Sequence, residues 1–229
     1  MGISQNLPIF SYNSQLKFGY NADIGTTAES VWDAGGAYPW PAAAAATTIV
    51  STDAKDTSDG VGARTVQVYG LDSDYKQINE TVILAGLTPV ALTNQYLRVY
   101  RAKVLTVGSE LDNAGSVQVK HSTTVIAQIS AGYNQTLMAV YTIPAGLSAA
   151  YLVNWRANVG KLKDAELTLW IREYGSVFQI KDLARVYQGM FSRDFAIAMK
   201  IPERADMELR AVSENASTPV AAGFDLFHL

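Results

Sequence analysis

Apolar and polar side chains alternate along much of this chain with a period of two, the period of a strand and not of a helix. Val66 and Val68 alternate with Thr65, Gln67 and Tyr69. A half-buried strand requires this, because successive side chains point to opposite faces. A second run, residues 77–84, places Ile78, Val82 and Leu84 on one face, with Glu80 among them. Between the two lies the turn-rich Gly70-Leu71-Asp72-Ser73-Asp74. Together they predict a β-hairpin with a long loop.

Around this hairpin the same period recurs. Residues 49–52 read as a short strand and 51–62 as a loop of turn residues. Residues 96–107 are strand-like but slip in phase, with Leu97 and Val99 on one face and Ala102 and Val104 on the other, so a bulge is expected near Arg101. Residues 116–120 alternate through Val117 and Val119. Further strands are expected over 125–129, 136–143, 150–156 and 165–173, then over 177–187 (weaker and bent), 195–201, 206–211 and 220–226. About eight short strands joined by turn signals argue for a sandwich or jelly roll. A parallel α/β sheet would need helical stretches between its strands, and none is legible. The expected fold is therefore all-β: two β-sandwich or jelly-roll-like modules, over residues 47–122 and 123–229, preceded by an irregular N-terminal arm over residues 1–46.

The arm lacks alternation but is rich in aromatics: Phe10, Tyr12, Phe18, Tyr20, Trp32, Tyr38 and Trp40. Disordered tails are poor in such residues, so this arm is expected to dock. It packs either on its own domain or into a neighbouring subunit. Pro39-Trp40-Pro41 fits neither a helix interior nor a central strand. Residues 42–46, five alanines, are too short to hold a helix alone and read as a linker.

Composition narrows the function classes. Of 229 residues 48% are hydrophobic, ample for a core, whereas 17% are charged. That is below the usual quarter and fits a protein that buries surface against partners. The net charge of −3 and the absence of polybasic runs offer nucleic acid no surface. With no cysteine there is no disulfide and no thiolate metal site. MGISQNLPIF lacks a basic region before an apolar run, so no secretory signal is expected. Asn6 stands where a myristoylated Gly2 would want Ser or Thr. No run of eighteen apolar residues is present, so no membrane-spanning helix is expected either.

Candidate chemistry is sparse. His121 and His228 are the only histidines, and no G-x-S-x-G elbow supports either as part of a nucleophilic site. No cluster has zinc-ligand spacing. Asp53, Asp56 and Asp59, or Asp72 and Asp74, offer oxygens of the kind calcium takes, yet aspartate is equally at home in turns. Asp206 and Glu208 share a strand face as a glycosidase pair would, but Arg210 shares it too, and a solvated face accounts for all three. Gly60-Val61-Gly62 is followed by no Lys-Ser/Thr, so it is not a phosphate loop. Without a secretory signal, the sequons at Asn79, Asn134 and Asn215 read as chance. Neither a catalytic residue, a metal site nor a cofactor is assigned. Trp170 stands between polar Thr168 and Arg172, and an aromatic on a polar strand face marks an interface or a ligand platform. Trp170, Arg172, Trp155 and Tyr174 are the candidates for that surface, with Tyr187 as a further exposed aromatic. Phe10, Tyr12, Phe18, Tyr20, Trp32 and Trp40 are the candidates for an inter-subunit arm.

Two passages carry a resemblance. One is Asp59-Gly60-Val61-Gly62-Ala63-Arg64-Thr65-Val66, continuing through Gly70-Leu71-Asp72 to Glu80-Thr81-Val82. The other is Gly132-Tyr133-Asn134-Gln135-Thr136-Leu137, leading to Tyr141-Thr142-Ile143-Pro144-Ala145-Gly146. With Val31-Trp32 and Tyr38-Pro39-Trp40, they resemble β-rich structural proteins of tailed bacteriophages, especially those of marine and cyanobacterial hosts. The resemblance implies an oligomeric component of the virion and carries over no catalytic residue. It leads us to expect a capsid decoration (cement) or head–neck protein that assembles with itself, a trimer first, and with other virion proteins such as the major capsid protein. The alternative is a head or tail fibre adhesin that binds host surface glycan through its C-terminal sandwich.

Overall fold

The computed structural model describes residues 13–147, 149–214 and 217–228. Phe10, Tyr12 and the sequon at Asn215 lie outside them. The described chain is built from antiparallel strands in three sheets. In chain order these are β1 (Asn13–Ile24), β2 (Glu29–Ser30), β3 (Thr47–Ser51), β4 (Ala63–Leu71), β5 (Gln77–Ile83), β6 (Val90–Ala91) and β7 (Arg98–Val107). There follow β8 (Val117–His121), β9 (Thr124–Ile129), β10 (Val140–Thr142), β11 (Ala150–Arg172), β12 (Gln179–Ile201), β13 (Asp206–Val212) and β14 (Thr218–His228).

The hairpin read from the alternation is β4–β5, in unbroken register from Thr65 opposite Ile83 to Leu71 opposite Gln77. Its turn is held by Asp72, whose Oδ1 accepts from the backbone N–H of Asp74 and of Lys76. β7 completes this sheet, and its register skips Tyr100 between Tyr69–Arg101 and Gly70–Val99. That is the bulge expected near Arg101. A second sheet, ordered β6-β3-β8-β9, packs on the first. Val66, Val68, Val117, Val119 and Ile126 fill the core between them.

The third sheet contains β1, β2 and β10 to β14 and closes on itself as a sandwich. The first half of β11 pairs with β14 and the end of β12, and its second half pairs with β13 and the start of β12. The sequence reads two strands here, because the alternation lapses over 157–164. The structure has one strand bent sharply, with register breaks between Val159 and Asp164. Leu162 on β11 and Gln188 on β12 take positive φ at the bend, 58° and 40°. In a straight strand Trp155 and Leu169 would stand roughly 45 Å apart. Here Trp155 donates its indole N–H to Asp182, the register partner of Leu169, at 2.8 Å. The two halves of β11 thus face each other over Trp155, Leu167, Leu169, Leu209 and Phe224, all fully buried.

Several expectations are corrected by this packing. Within the otherwise irregular arm, residues 13–24 form a regular strand: β1 pairs with β14 from Asn13–His228 to Asn21–Val220. Its alternation escapes notice because the buried positions that alternate, Lys17, Gly19 and Asn21, are not apolar side chains. Trp155 is core and not surface. β11 skips Val153 against both of its neighbours, and this bulge turns Leu152 and Trp155 to the same side. Residues 195–201 are not a strict strand, since β12 bulges between Asp194 and Met199 and leaves Ile197 88% exposed.

The two cores share a wall. Ala139 and Tyr141 point into the larger sandwich, while Met138 and Val140 point into the smaller. Val31 and Trp32 divide in the same way. These short segments are buried on both faces, so a period of two there separates two cores and not core from solvent.

Candidate functional site

β13 sets Met207, Leu209 and Ala211 into the core and turns Asp206, Glu208 and Arg210 the other way. Asp206 and Glu208 are nonetheless buried, at 4% and 0% exposure, which corrects the solvated face expected for them. The cover comes from Tyr38-Pro39-Trp40-Pro41 and from Arg98, while the strand register brings Arg172 opposite Asp206 and Trp170 opposite Glu208.

Each carboxylate has fixed partners. Asp206 accepts from Arg172 Nη2 at 2.5 Å, from Arg172 Nε at 3.0 Å, from Arg98 Nη2 at 3.3 Å and from Thr142 Oγ1 at 2.5 Å. Glu208 accepts from Ser30 Oγ at 2.5 Å, from the Trp40 indole at 3.0 Å and from Arg210 Nη2 at 2.5 Å. Such charge-assisted bonds compensate the loss of water around buried ions. Aromatic rings complete the cluster. Arg172 lies 4.5 Å from the centre of the Phe178 ring and Arg210 lies 4.6 Å from that of Trp170. Trp40, at φ 45°, packs on Tyr38 and Phe178 and receives Arg98 at 5.3 Å. Burial pushes the Tyr38 phenol well above its ordinary pKa.

Beside this cluster lies an open recess of about 260 Å³, where the two sandwiches meet. Trp40, Arg98, Arg172 and Asp206 form its inner part, and Tyr75, Tyr174 and Arg204 form its mouth. The Arg204 guanidinium lies 5.8 Å and 5.4 Å from the ring centres of Tyr75 and Tyr174, which meet edge to face. Tyr75 and Arg204 both hold positive φ, 63° and 61°. The Arg204 Nε is buried without a hydrogen-bond partner among the described residues.

A second feature is the outer edge of β12, which among the described residues pairs only with β11. Along it Tyr187, Met190 and Ile197 are 72%, 79% and 88% exposed, and Ile180 and Leu183 are exposed too. Met190 also borders an apolar groove of about 380 Å³, floored by Ala221, Ala222 and Gly223 and closed by Phe18 of β1.

Of the platform residues, the fold brings Arg172 and Tyr174 to the recess, leaves Trp170 partly buried under Arg210 and puts Trp155 in the core. Of the arm residues, Trp32 is buried in the smaller core and Trp40 belongs to the charged cluster, both within their own chain. Phe18 is exposed on β1 and Tyr20 half-buried. Sequence reasoning missed Arg98, Arg204 and Tyr75. The one signal for Tyr75 was its place in a turn. Asp56, a calcium candidate, is buried and accepts from Ser51 Oγ and from the backbone N–H of Ala63, Ala114 and Gly115, so its oxygens tie the loop between β3 and β4 to the loop between β7 and β8. Asp53 accepts from the backbone N–H of Lys55. His121 ends β8 and His228 lies in β14, stacked on Tyr141, so the two sit on different sheets.

No protein-family model matches the chain, and no curated protein matches it. Among solved structures, the PBSX exported protein XepA matches at 8% identity and a TM-score of 0.22, over 93% of this chain and 86% of its own. The VP2 subviral particle of infectious bursal disease virus matches at 8% identity and a TM-score of 0.24, over 96% and 71%. The Gx strain of the same virus matches at 9% identity and a TM-score of 0.21, over 95% and 75%. At such scores the likeness bears on neither fold nor function.

Proposed function

We propose that this chain is a structural protein of a tailed-phage particle, a capsid decoration or head–neck component that works as a symmetric oligomer. The observation that carries this reading is the β12 edge. A 23-residue strand whose outer edge is unpaired among the described residues, with Tyr187, Met190 and Ile197 exposed, is a surface that proteins ordinarily cover. A second copy or a neighbouring virion protein would cover it, and closed symmetry would use each edge once. The reading assigns the chain no reaction. Antibody carrying gold, applied to intact virions and imaged by electron microscopy, tests it. Label over the head or neck is the expected result, and purified protein should then bind empty capsids and raise their resistance to heat. Virions without label would sink it.

A second reading, an adhesin for host surface glycan, is favoured by one observation: the recess joins aromatic rings to arginines at the surface. Label confined to the tail or its fibres, with retention of the protein on host-surface extract, is what that reading requires.

A further inference from the structure

We propose that the recess between the two sandwiches binds a carboxylate-bearing sugar, a hexuronate or a residue of like chemistry, with Arg204 as its carboxylate clamp. This rests on the adhesin reading for its biological setting but on the recess geometry for its chemistry.

The charges in the recess are unequal in their engagement. Arg98 and Arg172 are both fixed by Asp206, which also accepts from Thr142. Arg204 has no carboxylate partner among the described residues, and its Nε–H is buried and unsatisfied. An arginine without a carboxylate of its own beside two structurally engaged ones can offer its two terminal Nη groups to an acceptor, and a carboxylate matches them with two parallel bonds. The position is also conformationally costly. Arg204 and Tyr75 both sit at positive φ, which side chains of this kind avoid and which persists where the surroundings impose it. The imposing contacts are visible: Arg204 donates its N–H to the carbonyl of Ile143, and the carbonyl of Tyr75 accepts from Ala145. The turn from β12 into β13 and the β4–β5 turn are thereby pinned to one loop, and Arg204 is held over the two tyrosine rings.

The rest of the recess suits a sugar better than a bare anion. Tyr174 is 63% exposed, so its ring can lie against the apolar face of a pyranose. Glu173 and Ser176 stand at the rim to meet hydroxyl groups. About 260 Å³ falls below the roughly 300–1,000 Å³ of drug-sized ligand sites, which suits a single sugar ring. An inorganic phosphate would leave Tyr174 unused.

The test is a nuclear magnetic resonance titration of the full chain with glucuronic acid, with glucose and inorganic phosphate in parallel. Glucuronic acid should bind and shift the indole signal of Trp40, while glucose and phosphate bind roughly tenfold more weakly or not at all. Arg204→Asn removes the guanidinium and keeps a residue that tolerates positive φ, so it should fold and lose about tenfold or more in affinity. Tyr174→Ala, at an exposed ring, should lose affinity with an unchanged unfolding midpoint. Phosphate binding as tightly as glucuronic acid would reduce the site to an anion hole and overturn the proposal. So would equal binding of glucose, full affinity in Arg204→Asn, or no binding at all. If glucuronic acid fails while host-surface extract still retains the protein, the recess is wrong and the adhesin reading stands. If it binds while the extract retains nothing, the site stands and the adhesin reading falls.

Discussion

Asp206 shows how far a single side chain depends on what covers it. On the alternation of β13 it faces away from the core, and an aspartate there reads as solvated. The Tyr38–Pro41 segment and Arg98 close over it, so its charge must be balanced inside the protein. Removing it leaves Arg98 buried and Arg172 half-buried without their shared partner. Asp206→Asn is therefore expected to lower stability by about 3–5 kcal/mol in urea unfolding, the usual cost of breaking a buried pair from one side. Asp33 makes a different case. One of its oxygens accepts from the Ser130 N–H at 3.1 Å, the other is buried with no partner, and burial pushes the carboxyl up to about 7. Between about pH 4 and pH 7 the folded chain holds a proton that the unfolded chain has released, so this residue's contribution to stability falls as pH rises through that window. The stability of the wild type relative to Asp33→Asn should fall over the same interval and level off above it. A difference that stayed flat from about pH 4 to pH 8 would contradict the assignment.

At the scale of elements, close approach decides where strands sit. β1 crosses the Val31–Ala139 bridge at Gly19, where an added Cβ would stand 2.0 Å from the Val31 carbonyl oxygen and 2.4 Å from the Ala139 nitrogen. Both atoms are backbone and neither can move without breaking the hydrogen bond between them. Gly19→Ala should cost about 3 kcal/mol or more, at the upper end of overpacking effects. Gly189, at the bend of β12, is the control. Its nearest neighbour would be the Tyr187 carbonyl oxygen at 3.7 Å, so Gly189→Ala should lie within about 0.5 kcal/mol of the wild type. Unfolding curves of the two variants give the comparison directly. The same scale explains what pattern reading sees. The β4–β5 hairpin is legible because a solvated face and a core face alternate between clear turn signals. The bent β11 is not, because residues 157–164 carry no alternation from which to read a strand's continuity.

For the molecule as a whole, the exposed edge of β12 is the feature that internal packing leaves unresolved. Met190 and Ile197 contribute little to the fold, being 79% and 88% exposed. Lysine at both positions should leave the unfolding midpoint of the dilute, monomeric protein unchanged and weaken self-association by about tenfold or more, equivalent to roughly 1.4 kcal/mol. Light scattering over a dilution series reads this. An oligomer of unchanged strength would remove the edge as its interface, and a chain monomeric at every concentration would remove the oligomer itself.

The order of polar and apolar residues by itself determined the all-β class, the central hairpin, the bulge beside Arg101 and most strand positions, because period and turn chemistry are local properties. Only the tertiary structure decided that β11 bends into both leaves of a sandwich, that a bulge at Val153 buries Trp155, and that Asp206 and Glu208 lie beneath arginine and tryptophan. It alone brought Arg204 and Tyr75 to one recess. The reason is physical: burial of a polar face, and the meeting of side chains from distant turns, are set by the segments packed above them, and no local period records which segments those are.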